Sequence, residues 1–123
     1  MQGIGLDIIQ LSRMRETIQR SGDVFLKRVF TAREIQCGQS HENPNRFFAS
    51  AFAAKEAVFK ALVLDWDSGV DFRDIEIDRG AYGQPLALLK GAVKTLAEAK
   101  GCSRVLISLS YETDLAVAQA VAC

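Results

Sequence analysis

The chain has 123 residues, a length that suits one domain and leaves little room for two, so we expect a single domain over residues 1–123. Apolar residues make up 49% and charged residues 24%, and the formal net charge is zero, so no overall field indicates a nucleic acid or a membrane surface as partner. No apolar run reaches bilayer length and no basic segment followed by an apolar block marks a signal peptide, so we expect a cytoplasmic protein.

The first predicted element is a strand from Gln2 to Ile9. Its residues alternate between an aliphatic face and a face that combines glycines with a carboxylate: Ile4, Leu6 and Ile8 on the first, Gly3, Gly5, Asp7 and Ile9 on the second. Two glycines beside Asp7 leave open space, as at a site where a ligand approaches the backbone. The alternative is an edge strand with Asp7 facing water.

Two helical segments are predicted next, from Leu11 to Arg20 and from Val24 to Phe30, with Ser21-Gly22 between them. Thr31 and Glu34 have the spacing of a capping box, which predicts a further short helix that starts at Ala32.

Positive charge is concentrated in these segments. Between residues 11 and 33, six cations stand against two anions: Arg13, Arg15, Arg20, Lys27, Arg28 and Arg33 against Glu16 and Asp23. Such a cluster is either a solvated face or a docking surface for an acidic partner.

The longest predicted helix covers residues 47–62, and Pro44 suits its start. Large apolar side chains gather on one side and alanines cover most of the rest, which is typical of a buried helix. Nevertheless the helix carries Lys55, Glu56 and Lys60. Glu56 and Lys60, one turn apart, form either a simple ion pair at the rim of the core or a carboxylate ligand with an adjacent cation for chemistry on an anionic substrate.

The remaining elements alternate between strands and one helix. We predict a polar loop over 65–71, strands over 72–78 and 86–89 joined by a turn, a helix from Ala92 to Lys100, and strands over 104–110 and 115–122. This order predicts an α+β fold with a mainly antiparallel sheet packed on one long buried helix.

Cysteine and histidine give no sign of a metal site. Cys37, Cys102 and Cys123 are odd in number and widely spaced, which favours free thiols in a reducing compartment. His41 lies in a polar segment, where a solvated loop residue is expected.

Several short motifs resemble those of the phosphopantetheinyl transferases of the small holo-acyl-carrier-protein synthase type. Residues 3–8 are similar to the family's G-I-G-x-D-I/V, and residues 52–60 to its F-A-A-K-E-A-x-x-K. Residues 108–110 resemble the start of S-[IL]-S-H, residues 83–85 resemble G-x-P, and residues 30–34 resemble L-T-x-x-E. The resemblance covers essentially the whole chain and implies the 4′-phosphopantetheinyl transferase fold.

The resemblance implies transfer of 4′-phosphopantetheine from coenzyme A to a serine of an apo acyl-carrier protein, with release of adenosine 3′,5′-bisphosphate. It implies Asp7 and Glu56 as Mg²⁺ ligands, and Lys60 as a catalytic cation against the phosphates. The proton acceptor is either Glu56 or a metal-bound water that it orients.

The remaining roles also follow from the resemblance. The positions that match the coenzyme site are Lys60, Gly83, Pro85, Ser108, Ser110 and Tyr111. The cations that would dock an acidic carrier are Arg13, Arg20 and Arg28. The family's typical assembly is a homotrimer with sites between subunits.

The chain departs from the family at two positions that face the coenzyme's phosphates. Tyr111 stands where the family usually has His, and Ala51 where it usually has Arg. Arg46 or Arg104 could supply the missing charge. The alternatives to an active transferase are therefore a catalytically weakened module that binds coenzyme A or the carrier, and a purely structural trimer.

Overall fold

The computed structural model describes residues 2–123, which form five strands and four helices with two short 3₁₀ turns between the third helix and the second strand. In chain order the elements are β1 (Gly3–Gln10), α1 (Leu11–Val29), α2 (Ala32–Gln39), α3 (Pro44–Leu62), the 3₁₀ turns Trp66–Ser68 and Phe72–Asp74, β2 (Ile75–Arg79), β3 (Pro85–Leu89), α4 (Gly91–Ala99), β4 (Val105–Glu112) and β5 (Leu115–Ala122).

The strands form two antiparallel sheets. The larger has three strands in the order β1-β5-β4, and the smaller is the β2–β3 hairpin. In the larger sheet, Asp7 pairs with Ala118, which pairs with Leu109. The predicted α+β class and the antiparallel arrangement are therefore confirmed.

The long helix α3 packs on the inner face of the three-stranded sheet. Its alanines have essentially no exposed surface, so the prediction of a buried helix is confirmed. A Cβ atom on Gly5 would overlap the carbonyl oxygen of Ala57, and one on Gly3 would overlap that of Ala61. The expectation of open space beside Asp7 was wrong, because the backbone of α3 fills it.

The helix α1 is interrupted where the sequence predicted a break. Gly22 has φ 50° and ψ −129°, a conformation outside the helical region and one that favours glycine. The two helical parts of α1 meet in a kink at this residue. The kink sets the direction of the second part, which carries Lys27 and Arg28.

The capping box of α2 is confirmed, because the Thr31 side chain accepts from the Glu34 N–H and the Glu34 carboxylate accepts from the Thr31 N–H at 2.8 Å. The predicted strand over 72–78 begins instead at Ile75. Asp71 and Asp74 form a second capping box that holds the preceding residues in a 3₁₀ turn. No helix within residues 2–123 is long and apolar enough to cross a membrane.

Candidate functional site

The carboxylate of Asp7 lies on the inner face of β1, against α3. The ammonium of Lys60 is 3.1 Å from Asp7 Oδ1 and donates a second hydrogen bond to the carbonyl of Leu6 at 2.8 Å. The other oxygen, Asp7 Oδ2, is buried and has no hydrogen-bond partner within residues 2–123. The strand therefore presents one carboxylate oxygen that the protein leaves unsatisfied.

Glu56 lies on the side of α3 that faces Asp7, and it is half-buried. Burial raises the pKa of Glu56, the nearby Asp7 carboxylate raises it further, and Lys60 opposes both effects. Its side chain forms no ion pair or hydrogen bond with any other residue between 2 and 123, so the i,i+4 pair with Lys60 is absent and that alternative was wrong. Lys60 reaches across to β1 instead.

The residues fit a hard divalent cation. Asp7 offers a carboxylate oxygen without a partner and Glu56 an unpaired carboxylate, and oxygens of this kind are the ligands that Mg²⁺ takes. A bound cation would also offset the repulsion between the two carboxylates. Within residues 2–123, no group of three acidic, histidine or cysteine side chains surrounds this point. That donor count suits Mg²⁺, which is usually held by one or two carboxylates together with substrate phosphates and water.

Lys55, which precedes Glu56 on α3, points away from this site. Lys55 is fully buried and pairs with Glu34, 2.7 Å away, on α2. The sequence had predicted no partner for Lys55. A lysine at the centre of an apolar helix requires a carboxylate from elsewhere in the chain, and Glu34 was available as the last residue of the capping box.

The cations of α1 form an exposed, unpaired surface. Arg13, Arg20 and Arg28 are all exposed, and within residues 2–123 none of them has an acidic partner. Arg13 also lines a groove of about 560 Å³ between β1 and α1, whose floor includes Ile8 and Phe52. Of these cations Arg13 thus lies beside a largely apolar groove, whose lining includes Ile8, the residue after Asp7 on β1.

The other predicted coenzyme residues do not join Asp7 within one chain. Ser108 and Ser110 are exposed on the outer face of β4, because they alternate with Leu109, which faces inward. Gly83 and Pro85 belong to the β2–β3 hairpin.

The outer face of the three-stranded sheet is apolar and uncovered. Ile4, Leu6 and Ile8 are each more than half exposed, and Leu106 on β4 is nearly so. The sequence predicted that Ile4, Leu6 and Ile8 share a face. An exposed aliphatic face of this kind usually marks an interaction surface.

Tyr111 and Arg46 form a pair at the start of α3. The Arg46 guanidinium carbon lies 4.2 Å from the centre of the Tyr111 ring, and its other contact is an ion pair with Glu42 at 3.6 Å. Arg46 and Lys60 lie about 20 Å apart along α3, at a rise of about 1.5 Å per residue. Arg104 lies at the other end of β4 from Tyr111, beside α4.

Comparison with known proteins places these features in a family. The model of the 4′-phosphopantetheinyl transferase superfamily matches residues 3–119. A holo-[acyl-carrier-protein] synthase from Desulforudis audaxviator is 42% identical over 120 residues, 98% of this chain and 91% of the relative.

Two solved structures extend the likeness to the fold. The holo-[acyl-carrier-protein] synthase of Neisseria meningitidis has a TM-score of 0.92 and 35% identity, covering 100% of this chain and 98% of that one. The Helicobacter pylori enzyme in complex with coenzyme A has a TM-score of 0.84 and 28% identity, covering 98% and 99%.

Proposed function

The chain belongs to the 4′-phosphopantetheinyl transferase superfamily, and from that premise we propose that it is a holo-[acyl-carrier-protein] synthase that moves 4′-phosphopantetheine from coenzyme A to a carrier serine. The observation that carries the proposal is the juxtaposition of Asp7, Glu56 and Lys60, in which two carboxylates meet beside one cation. The unpaired donor atoms suit a site that receives a metal and a phosphate together.

In the proposed reaction, the serine oxygen of the carrier attacks the phosphorus on the pantetheine side of the pyrophosphate. The bond from that phosphorus to the bridging oxygen breaks, and adenosine 3′,5′-bisphosphate leaves with that oxygen. Asp7 and Glu56 would hold Mg²⁺, which when bound neutralises charge on the pyrophosphate oxygens. Lys60, anchored by the Leu6 carbonyl, has an ammonium half exposed beside this point and can donate to the leaving phosphate.

The serine proton needs an acceptor, and Glu56 is the group we assign. Burial and the adjacent Asp7 raise the pKa of Glu56 in the metal-free protein. A carboxylate oxygen of Glu56 that does not bind Mg²⁺ would accept the proton. It is also free of any other hydrogen bond within residues 2–123.

We propose that the carrier docks on α1. Acyl-carrier proteins of this family's reaction are acidic, and Arg13, Arg20 and Arg28 offer unpaired positive charge. Arg13 also lines the groove between β1 and α1, which offers an apolar contact beside this charge.

We further propose that a homotrimer completes each site. The serines assigned to the coenzyme, Ser108 and Ser110, face outward on β4, whereas Asp7 faces inward. A second copy packed against this sheet would supply the outward-facing serines that one chain does not bring to its own Asp7. Mixing an Asp7→Ala chain with a Ser110→Arg chain tests this: shared sites predict recovered activity on mixing, and sites within one chain predict none.

Arg46 is our candidate for the charge that the family supplies from the positions of Ala51 and Tyr111. Its guanidinium carbon lies 4.2 Å from the centre of the Tyr111 ring, and its only ion pair within residues 2–123 is with the exposed Glu42, which a phosphate can replace. Arg104, the other candidate, lies beside α4, away from Tyr111.

One assay tests the function. The protein is incubated with apo carrier, coenzyme A and Mg²⁺, and the carrier mass is measured, with a parallel reaction in chelator. A phosphopantetheine adduct that requires Mg²⁺ supports an active transferase. If no adduct forms but coenzyme A raises the Tm, the result supports the weakened binding module. If no adduct forms and coenzyme A leaves the Tm unchanged, the result supports the structural trimer. Repeating the assay over several carriers identifies the partner.

A further inference from the structure

Lys55 carries its ammonium into the interior of the protein. The side chain has no exposed surface. Its Nζ donates three hydrogen bonds, to Glu34 Oε1 at 2.7 Å, the Val29 carbonyl at 2.9 Å and the Phe72 carbonyl at 3.1 Å. An ammonium has three protons, so each of them has an acceptor. The Phe30 ring, centred 5.3 Å from Nζ, adds a cation–π contact.

The carboxylate of Glu34 is fixed in the same way. Its Oε1 also accepts from the Thr31 N–H, and its Oε2 accepts from the Ile77 N–H at 2.8 Å. The Thr31 hydroxyl in turn donates to Glu76 at 2.6 Å. Burial lowers the pKa of Lys55, and the Glu34 carboxylate acts in the opposite direction. The network is fully satisfied, and removal of one charge alone would leave the other buried without compensation.

The acceptors of Lys55 belong to the elements that carry the proposed functional surfaces. Val29 is the last residue of α1, which bears the docking cations. Phe72 opens the turn that leads into the β2–β3 hairpin. Lys55 itself precedes Glu56 on α3. One ammonium therefore joins the docking helix, the helix with the reacting carboxylate, and the approach to the hairpin.

We propose that Lys55 is a positioning residue for the transfer reaction, which holds α1 and the carrier docked on it at a fixed distance from Glu56. This inference rests on the proposed function. The docking cations are on the outside of α1 and do not contact Lys55, so loss of Lys55 leaves the docking surface itself intact. Loss of Lys55 instead shifts the position of the bound carrier serine relative to Glu56. A displacement of about 1 Å can lower a reaction rate about 100-fold.

The experiment uses the full chain with Lys55→Met and Glu34→Gln combined, so that no charge is left buried alone. We expect kcat to fall at least tenfold while the Kd for apo carrier stays within twofold. Circular dichroism confirms folding, and both quantities are measured well below the Tm of the variant.

Val93→Ala is the matched control, because it opens a cavity in the buried side of α4 and lowers stability without removing any hydrogen bond of this network. It should keep the parental kcat. A folded double variant with parental kcat, or one whose carrier affinity falls as much as its kcat, overturns the proposal.

If the double variant does not fold, Lys55→Arg replaces it. The guanidinium keeps the buried charge, but its planar fork cannot reproduce three ammonium contacts, so kcat is again expected to fall at constant carrier Kd. Parental kcat in folded Lys55→Arg overturns the proposal. An inactive parent protein would contradict the proposed function itself, whereas an active parent with unaffected variants contradicts only the role of Lys55.

Discussion

Lys60 donates to Asp7, 53 residues away on β1, and not to Glu56, its neighbour one turn back on α3. The ammonium lies 3.1 Å from one carboxylate oxygen of Asp7 and leaves the other without a partner. Glu56 is thereby left half-buried, with no ion pair or hydrogen bond of its own within residues 2–123. The arrangement keeps the second oxygen of Asp7 and the Glu56 carboxylate available for a cation, beside an ammonium that can meet a phosphate.

Asp7→Ala and Glu56→Ala are each expected to abolish transfer while the fold remains intact, because neither carboxylate supports the core. The carrier mass assay measures transfer, and circular dichroism measures folding. Glu98→Gln, an exposed acid on α4, is the control and should keep full activity. Mg²⁺-dependent turnover in either alanine variant would refute the metal assignment.

Glu56→Gln is expected to raise the Tm of the metal-free protein at neutral pH. Because folding raises the pKa of Glu56, the folded chain binds that proton more tightly than the unfolded chain, and the ionised form opposes folding. This destabilisation sets in as pH rises through the ordinary pKa of Glu toward the raised value. The gain over the parent should therefore vanish below about pH 4, where Glu56 is protonated in both states.

Thermal melts in chelator at several pH values measure this effect. Glu98→Gln should show no such pH-dependent gain. If the Tm of Glu56→Gln at pH 7 is at or below that of the parent, the ionised Glu56 carboxylate does not destabilise the metal-free fold.

The sequence predicted the elements well where one local signal was decisive. The Thr31–Glu34 capping box, the break at Gly22 and the buried character of α3 were all confirmed. The predicted start of β2 was wrong, because the Asp71 side chain offers the backbone a local hydrogen bond that competes with the sheet.

The candidate site was harder to predict because its partners come from distant segments. The pattern that joined Glu56 to Lys60 was a helix periodicity, and that periodicity carries no information on a strand that lies across the helix. The glycines of β1 were read as space for a ligand, although they admit the backbone of α3. The pairing of Lys55 with Glu34 required knowledge of how α2 packs on α3.

Lys60→Met is expected to lower the transfer rate by about 100-fold, as the loss of one preorganised donor to a developing negative charge typically does. The side chain is half exposed, so the fold should be unaffected. Single-turnover measurement of carrier modification gives the rate, and Lys94→Met on α4 is the control. A loss below twofold would contradict a role for Lys60 at the phosphates.

Arg46→Ala is expected to raise the KM for coenzyme A about tenfold, the value of one charge-assisted contact to a phosphate. Arg104→Ala removes the same charge at the far end of β4 and should leave KM unchanged. Steady-state kinetics at saturating carrier measure both. Equal effects of the two substitutions would show that net charge matters and that the stacking of Arg46 on Tyr111 does not.

Arg28→Glu is expected to raise the KM for the carrier and to flatten its dependence on salt. Arg28 is exposed and without an acidic partner in the described chain, so its field is free to attract an acidic surface, and salt screens such attraction over about 8 Å at physiological ionic strength. Affinity for coenzyme A should stay nearly unchanged, because the coenzyme is assigned to other residues. Lys94→Glu makes the same change in net charge on α4 and should alter neither ligand. Titrations of carrier and of coenzyme A at several salt concentrations measure both affinities. Equal losses of affinity for the two ligands would place Arg28 in the coenzyme site or in support of the fold. No loss of affinity for either ligand would make the basic segment around Arg28 a solvated face.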